Sequence, residues 1–452
     1  MPSAEDAPVS DDEAANLFAP LRDRAGLILA VSGGPDSSAL LVLYARAQRL
    51  DPTLPPAIVA TVDHRLRSEA ADEAAYVAAL AARHDLAHRT LVWVGAKPTT
   101  DLQAAARRAR YALLVDTARD LGFDTVVTAH HAEDQAETFL ARLARGSGVV
   151  GLAAMAPRRS IDGLVLARPF LDLPRDRLRA TLAAAGESWI DDPSNRDARF
   201  DRVRLRAAAP LLAELGLTRD RLVATAKAMA AVASDIDRRC DEAMAEDGRL
   251  HPAGWASLCA HRFAGLDRQD RVRLIGRLIR TVGGADHAPK RAALDAVEAA
   301  LSAEEPTKTL PARSLGACLI EKRAGRIWIA PEIGRGDGPR LDLAPGGHGR
   351  WYGRRVELAN DAPGPITIAP LGRAGRTMMA AVEPPYLRDI GAPSPVAAVI
   401  ETAPAIFVAG ALVACPGLGY QGDATTRWSE LVRFSAIDTV FAATGGARDA
   451  VR

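Results

Sequence analysis

The residues of this chain best suited to chemistry form a glycine- and hydroxyl-rich turn, S-G-G-P-D-S, over residues 32–37. The turn follows the apolar run Leu27–Val31 and precedes a helix predicted to begin at Pro35. Paired glycines let backbone amides approach an anion, and a helix start adds unpaired N–H groups and the positive end of its dipole. The pattern predicts a phosphate-binding turn, with a serine-rich helix cap as the simpler alternative. It lacks the lysine of a Walker A loop and the G-x-G-x-x-G spacing of dinucleotide sites.

A second polar segment, A-H-H-A-E-D-Q-A-E-T, covers residues 129–138. Asp134 and Glu137 are three residues apart on a predicted helix, so both carboxylates share one face and can close on one cation or ammonium group. An acidic helix start that complements the dipole is the simpler alternative. Zinc binding by His130, His131 and Asp134 is disfavoured because no further nitrogen or thiolate ligand has a suitable spacing.

Three further segments carry polar groups of interest. The sequence V-D-H-R-L-R over residues 62–67 follows a predicted strand, where a nucleobase or ribose would lie beside the phosphate turn, although cap and loop roles fit it equally well. Arg107 and Arg110 share one face of a predicted helix. Five arginines between residues 196 and 206 can bind phosphates, or can form a solvated helix face.

The elements that must position these segments alternate between short apolar runs and longer helical stretches, which is typical of a doubly wound parallel sheet. The predicted strands are Leu27–Val31, Ile58–Val62, His88–Val94, Thr125–Thr128 and Leu164–Ala167. The predicted helices are Pro35–Arg49, Ser68–His84, Leu102–Leu121, Glu133–Arg145 and Pro174–Gly186. Ligands of such sheets bind beyond the carboxyl ends of the strands, and the polar segments follow those ends.

The length of 452 residues predicts more than one domain. We expect an α/β catalytic domain over residues 1–210, a helical middle domain over 211–305 and a β-rich C-terminal domain over 306–452. The middle region shows helical periodicity, and from about residue 307 the pattern changes to apolar alternation with glycines. Periodicity predicts this boundary but says nothing about a ligand for the last domain.

The composition excludes several classes of protein. With 57 basic and 56 acidic side chains the net charge is +1, so any nucleic-acid surface must be a local patch. The four cysteines form no C-x-x-C pair, which disfavours a structural zinc site, an iron–sulfur cluster and a disulfide framework. The sequence has no apolar run of about 18 residues and no signal-like N-terminus, so we expect a cytoplasmic protein without membrane contact.

Taken in order, six segments resemble the tRNA(Ile)-lysidine synthetase family, which belongs to the PP-loop N-type ATP pyrophosphatases. The matching segments are residues 32–37, 62–67, 109–111, 129–138, 145–152 and 192–197. The resemblance is strong to about residue 210 and weak beyond it. One departure is Val203, since the family commonly has asparagine there, within an R-N-x-I-R run; this puts any role of that amide in doubt.

The resemblance implies that ATP adenylates O2 of the wobble cytidine in an isoleucine tRNA with a CAU anticodon. The ε-amine of free L-lysine would then attack C2 and expel AMP, giving lysidine. The C-terminal domain of long family members is used for tRNA binding, and the layout of the last domain is compatible with that role; a packing or scaffold domain fits it equally well. The resemblance leaves the oligomeric state open, with a homodimer as one possibility.

The resemblance also implies roles for individual residues. The residues that would hold ATP are Ser32, Gly33, Gly34, Pro35, Asp36, Ser37, Val62, His64 and His130. The catalytic residues would be Asp36, Asp134, Glu137, Arg110 and Arg206. Asp36 would position Mg²⁺, which neutralises charge on the leaving pyrophosphate. Asp134 and Glu137 would hold the lysine ammonium, and one of them would accept its proton. Arg110 and Arg206 would contact ATP phosphates or the flipped-out base.

Two other functions are compatible with a PP-loop. An enzyme that thiolates a tRNA cytidine would normally need paired cysteines for a cluster, and this chain has none. A non-catalytic adenine-nucleotide-binding protein would have no use for the carboxylate pair Asp134 and Glu137. Release of pyrophosphate distinguishes these functions.

Overall fold

The structure is a computed structural model of the chain. It describes residues 7–66, 69–95, 97–98, 100–191, 201–285, 287–303, 305–334, 336–379, 397–422 and 426–436. The chain divides into two compact units, Met1–Ala233 and Ser234–Arg452. The predicted turn at residues 192–197 lies outside the described residues, as do Arg67 and the last 16 residues of the predicted C-terminal domain.

The first unit is built on a mostly parallel sheet, which confirms the predicted α/β class. Its strands are β1 (Leu27–Ala30), β2 (Ala57–Asp63), β3 (Ala87–Val92), β4 (Thr125–Val127), β5 (Arg158–Ile161) and β6 (Leu164–Ala167). They are ordered β3-β2-β1-β4-β6-β5, and all neighbours are parallel except β5, which runs antiparallel to β6. The hairpin β5–β6 was not predicted, although its turn, Asp162-Gly163, has the two positive φ angles and the residue types of a tight hairpin.

Helices cover both faces of this sheet. They are α1 (Asp11–Phe18), α2 (Pro35–Leu50), α3 (Ala70–Arg83), α4 (Leu102–Asp120), α5 (Ala132–Ala144), α6 (Val149–Leu152), α7 (Arg175–Ala184) and α8 (Asp201–Glu214), and α9 (Arg219–Asp247) continues past residue 233. Each predicted helix is present, with ends that differ by one or two residues. The central strand β1 is buried along its whole length, which is why it reads as an unbroken apolar run.

The order of the strands creates a crevice between β1 and β4. From β1 the chain proceeds through α2 to β2 on one side, and it returns after β3 through α4 to β4 on the other side. The two loops that leave the carboxyl ends of β1 and β4 therefore diverge. Ligands of doubly wound sheets bind at this topological switch point.

Among the residues that the structure describes, the second unit contains three antiparallel sheets. Their strands are β7 (Gly248–Leu250), β8 (Ala256–Cys259), β9 (Leu310–Leu315), β10 (Cys318–Arg323), β11 (Arg326–Pro331), β12 (Leu341–Leu343), β13 (His348–Trp351), β14 (Arg354–Leu358), β15 (Ile366–Pro370), β16 (Pro404–Val408), β17 (Ala411–Cys415), β18 (Tyr420–Gln421) and β19 (Val432–Ala436). The strand orders are β7-β8-β11-β10-β9, β12-β15-β16-β17-β18 and β13-β14-β19.

The helices of this unit are α10 (Ala260–Ala264), α11 (Arg268–Gly283), α12 (Arg291–Ser302), α13 (Gly372–Met378), α14 (Ala397–Ile400) and α15 (Trp428–Leu431). The first of its sheets pairs β8 with β11, so its strands lie on both sides of residue 305 in the sequence. The division into three domains remains a prediction. In the part of the chain that the structure describes, no helix is both long and apolar enough to cross a membrane.

Candidate active site

The phosphate turn directly follows β1 and depends on a glycine at its first corner. Gly33 has φ +86°, and a Cβ at this residue would lie 2.7 Å from Cδ1 of Ile190. The carbonyl of Gly33 also accepts a hydrogen bond of 2.9 Å from the N–H of Ile190. Gly34 caps α2, and Pro35 is the first helical residue, where a missing N–H costs nothing. The turn therefore has the strand–turn–helix setting that the sequence predicts.

Serine hydroxyls fix the shape of this turn. Oγ of Ser37 accepts a hydrogen bond of 3.1 Å from the N–H of Ser32 and donates one of 3.1 Å to the carbonyl of Gly34. Oγ of the buried Ser38 donates a hydrogen bond of 3.2 Å to the carbonyl of Gly33. These bonds hold the turn open in front of α2, and the Oγ atoms of Ser32 and Ser37 lie 3.3 Å apart.

His131, which precedes α5, connects the loops that follow β1 and β4. Its side chain is only 2% exposed, and three carboxylates surround it. Nε2 lies 3.4 Å from Oδ2 of Asp36 and 3.6 Å from Oδ2 of Asp134, and Nδ1 lies 3.0 Å from Oε2 of Glu133. Residues of the phosphate turn and of the start of α5 thus both contact the imidazole of His131 at the switch point.

The charges of His131 and of the carboxylates around it depend on one another. Burial alone would lower the pKa of His131, but the nearby carboxylates of Asp36, Glu133 and Asp134 raise it to about 10. Burial would raise the pKa of Glu133, yet its contact with His131 and the backbone N–H of Arg175 lower it to about 2. His131 is therefore an imidazolium at neutral pH, and we assign it the task of holding the carboxylates together.

The start of α5 is anchored by further bonds. Oε2 of Glu133 accepts a hydrogen bond of 2.9 Å from the N–H of Arg175 at the start of α7, and Oε1 lies 3.2 Å from Nη1 of Arg219 at the start of α9. The N–H of His131 donates to Oδ2 of Asp134 at 3.2 Å, which closes a capping box. Three helices of the first unit are thus joined at this point.

The two carboxylates expected to act together lie beside different cations. Asp134 contacts His131, whereas Oε1 of the buried Glu137 pairs with Nε of Arg206 at 2.9 Å. Arg206 is on α8, and its side chain is 40% exposed, so its guanidinium is accessible to a further anion. That Asp134 and Glu137 bind one ammonium group remains a prediction, and the structure brings the predicted residues Glu137 and Arg206 into direct contact.

The residues expected beside the nucleobase lie at the carboxyl ends of β2 and β3. Val62 is half-buried in β2, and the ring of His64 meets that of Trp93 edge to face at 5.8 Å. Burial lowers the pKa of His64, and the charges of Arg110 and Lys97 lower it further. Nδ1 of His64 is buried and has no hydrogen-bond partner among the described residues, which suits a polar ligand.

Two further predicted site residues are His130, which follows β4, and Arg110, which lies on α4. Nδ1 of His130 is 2.9 Å from Oγ1 of Thr128, at the end of β4. Burial lowers the pKa of Arg110, which lies one helical turn after Arg107 on α4. The charge of Arg110 in turn lowers the pKa of His64. The structure thus places every predicted site residue at or near the carboxyl edge of the sheet, apart from Arg206, which reaches it from α8.

Asp36 is the residue that fits a divalent cation. Its Oδ1 atom is buried and accepts no hydrogen bond from any described residue, while Oδ2 faces His131. A buried carboxylate oxygen without a hydrogen-bond donor suits Mg²⁺, which binds one or two protein carboxylates together with phosphate oxygens. Over the described ranges, no group of three or more histidine, cysteine or acidic side chains is arranged to hold a metal by itself.

Sequence reasoning missed the central position of His131 and the contribution of Glu133. It treated His131 only as a disfavoured zinc ligand. The spacing between His131 and Asp134 is that of a helix N-cap and its third helical residue, and this signal could have placed the histidine against the acidic helix start. Its contact with Asp36 could not be found in this way, because the two residues are 95 positions apart.

Comparison with known proteins finds similar sequences over most of the chain. Residues 7–212 match the family of the PP-loop domain. A tRNA(Ile)-lysidine synthase of Bradyrhizobium diazoefficiens is 45% identical over 352 residues, covering 74% of this chain and 98% of that protein. A tRNA(Ile)-lysidine synthase of Ruegeria pomeroyi is 39% identical over 407 residues, covering 88% and 90%. The solved structure of a U34-tRNA thiolase from Methanococcus maripaludis is 13% identical and covers 49% of this chain and 79% of its own, with a TM-score of 0.41.

Proposed function

Because this chain belongs to the tRNA(Ile)-lysidine synthase family, we propose that it joins free lysine to C2 of the wobble cytidine in a CAU-anticodon isoleucine tRNA. ATP is cleaved to AMP and pyrophosphate in the reaction. The observation that best supports this proposal is the meeting of the phosphate turn and the acidic start of α5 on His131. It brings a site for ATP phosphates beside carboxylates that suit an ammonium group.

In the first step, O2 of cytosine attacks the α-phosphorus of ATP. A new P–O bond forms, and the bond between the α-phosphorus and the bridging oxygen breaks, so that pyrophosphate leaves. Backbone N–H groups of the turn at Gly33 and Gly34, together with the start of α2, stabilise the negative charge that develops on the leaving group. Asp36 would hold Mg²⁺ through its free Oδ1, and the ion would neutralise further charge on pyrophosphate.

In the second step, the ε-amine of lysine attacks C2 of the adenylated base. A C–N bond forms, the bond between C2 and the oxygen bearing AMP breaks, and the amine loses a proton. Asp134 and Glu137 hold the lysine ammonium before the attack, and one of them accepts its proton. Their side chains are only 14% and 7% exposed, so the attraction to an ammonium group is screened less than it would be in water.

The remaining predicted residues position the two substrates. Val62 and His64 bind the adenosine part of ATP, since the buried Nδ1 of His64 offers a hydrogen-bonding atom to a ribose or base. Arg110 and the accessible guanidinium of Arg206 contact ATP phosphates or the flipped-out base. Arg206, which would contact phosphate or base, and Glu137, which would hold lysine, are in direct contact, so the two binding regions adjoin.

The test is a set of omission experiments with the purified full chain. Release of pyrophosphate and AMP is measured with ATP, Mg²⁺, labelled lysine and a CAU-anticodon tRNA(Ile) transcript. We expect AMP release and labelled tRNA only when lysine and tRNA are both present. Release of pyrophosphate without lysine entering the tRNA would contradict the proposed acceptor.

A matched pair of variants tests the carboxylate. Asp134→Asn should reduce lysine incorporation at least about 100-fold, as expected for loss of general base catalysis. Asp72→Asn is the control, because Asp72 is an exposed acid at the equivalent third position of α3. Both changes remove an acid from a helix start, so a loss confined to Asp134→Asn cannot come from the helix dipole. Equal activities of the two variants would refute the role of Asp134.

A further inference from the structure

Arginines outside the residues assigned above gather around one tyrosine at the carboxyl edge of the first sheet. The Tyr111 cluster consists of Tyr111, Arg107, Arg159 and Arg168, together with Arg142, which is close enough to act on Arg168 through its charge. Arg107 and Tyr111 lie on α4, which runs from the end of β3 back to the start of β4, so its first half lies near the carboxyl edge. Arg168 directly follows the end of β6, beside β4. The cluster is therefore next to the switch point.

Two of these arginines face the tyrosine ring. The guanidinium carbons of Arg107 and Arg159 lie 5.2 and 5.9 Å from the ring centre of Tyr111, and both arginines are exposed. Nη2 of Arg107 also donates a hydrogen bond of 3.4 Å to the tyrosine hydroxyl. An arginine held near an aromatic ring is ordered, and the outer N–H groups of its guanidinium stay available to an anion.

Arg168 adds a buried charge to the cluster. It is only 5% exposed, and its Nη1 donates a hydrogen bond of 2.7 Å to the carbonyl of Ala156. Its Nε is buried and finds no acceptor among the described residues. Burial lowers the pKa of Arg168 to about 10; Tyr111 opposes this shift, and the charges of the other three arginines of the cluster add to it.

The neighbours of the cluster do not neutralise it. Elsewhere in the first unit arginines pair with carboxylates, as Arg22 does with Asp51 and Arg177 with Glu13. Within the described part of the chain, no carboxylate lies within 4 Å of a basic nitrogen of the Tyr111 cluster. Arg142 donates instead to the carbonyls of Gly151 and Ala154. A concentration of like charges without acidic partners is unfavourable by itself and favours binding of an anion.

We propose that the Tyr111 cluster binds the phosphate backbone of the RNA substrate beside the reaction centre. This inference rests on the proposed function, because the RNA is the tRNA of that reaction. Several phosphates spaced along a chain match several guanidinium groups on different elements better than one small anion does. Tyr111 also offers a ring next to these cations, a combination that suits single-stranded RNA.

The test uses the full-length protein and two RNAs, the CAU-anticodon tRNA(Ile) transcript and its isolated anticodon stem–loop. The variant is Arg107→Gln/Arg159→Gln, which removes two exposed charges and leaves the buried Arg168 in place. The control is Arg46→Gln/Arg49→Gln, which removes two charges from α2 towards its C-terminal end, near the opposite edge of the sheet. Dissociation constants are measured over a range of salt concentrations, and kinetic constants are measured for each substrate.

We expect the cluster variant to bind both RNAs about 10- to 100-fold more weakly than the wild type, because each of the two exposed contacts contributes about 3- to 10-fold to the affinity. The slope of log Kd against log salt should decrease by about 1.5, because two phosphate contacts are lost. The KM for tRNA should rise, while the KM for ATP and kcat at saturating tRNA stay unchanged. The control variant should behave as the wild type.

Other outcomes overturn the inference. RNA affinities and salt slopes equal to those of the control would show that the cluster does not contact RNA, and an increase in the KM for ATP alone would assign it to the nucleotide. Failure of the proposed function would look different, because the wild type would then bind RNA through the cluster without incorporating lysine. Normal lysine incorporation with unchanged RNA binding in the variant would refute this inference only.

Discussion

Replacement of Gly33 by alanine tests how far the phosphate turn depends on its backbone conformation. At φ +86° an alanine costs about 1–2 kcal/mol relative to glycine. The new Cβ would also lie 2.7 Å from Cδ1 of Ile190, so this side chain must move, and overpacking adds about 1–3 kcal/mol. Together the two costs predict a loss of about 2–5 kcal/mol in the free energy of unfolding of the first unit.

The neighbouring glycine provides a matched control. Gly34 has φ −70°, and a Cβ there would find Ser32 Oγ as its nearest atom, 3.9 Å away. Alanine is a poorer helix cap than glycine, so Gly34→Ala should cost less than about 1 kcal/mol. The same substitution one residue further along therefore has a smaller effect on stability, because of the difference in φ and the position of Ile190.

Stability is measured by urea unfolding of the full chain, with hydrogen exchange of peptides from β1 and α2 reporting on the first unit. Gly33→Ala should exchange faster in both peptides, and Gly34→Ala should exchange as the wild type does. Equal exchange and equal urea midpoints in the two variants would refute the reasoning, since the strain assigned to residue 33 would then be absent.

Three further changes test the contacts of the first unit. His131→Gln removes the cation that three carboxylates share, so the free energy of unfolding at pH 7 should fall by about 3–5 kcal/mol in a urea titration. Arg206→Gln leaves the buried carboxylate of Glu137 without this guanidinium, so lysine incorporation at pH 7 should fall by at least about 10-fold. The hydrogen bond from Arg177 lowers the pKa of Glu13 from its ordinary 4.5 to about 2, so the stabilisation is complete above pH 4.5 and is lost as the pH falls towards 2. Glu13→Gln should therefore cost less than about 1 kcal/mol at pH 7, and urea midpoints should show the difference shrinking below about pH 4.5.

For each of these changes, one result would contradict the reasoning. A loss below about 1 kcal/mol for His131→Gln would contradict a shared imidazolium. Arg204→Gln removes an exposed arginine from the same helix as Arg206, and an equal loss of lysine incorporation would show that net charge alone is responsible. For Glu13, a destabilisation that stays constant from pH 7 down to about pH 2 would rule out an ionic contribution.

Local patterns in the sequence were sufficient for the architecture of the first unit. Apolar runs followed by glycines predicted β1 and the turn after it, and helical periodicity predicted α2 to α5 and α7 within two residues of their observed ends. These features are determined locally, because a strand or helix follows from the spacing of its own apolar residues. The sequence also placed its polar segments at strand ends, where a parallel sheet gathers them at one edge.

The contacts inside the site were decided by the tertiary structure. Asp36 reaches His131 because β1 and β4 are neighbours, and no periodicity within either segment reports this pairing. Glu137 meets Arg206 because α8 packs against α5, across 69 positions of sequence. In the same way, the pairing of β8 with β11 joins segments on either side of residue 305.

The sequence by itself determined which residue types stand at the ends of which elements, and therefore the class of chemistry that this protein can perform. The order of the strands determined which of those residues touch. It sets the charge of His131, the partners of Asp36 and Glu137, and the gathering of arginines around Tyr111. The physical reason is that contacts between distant segments arise from burial of the whole sheet and its helices, a sum over many residues that no single segment encodes.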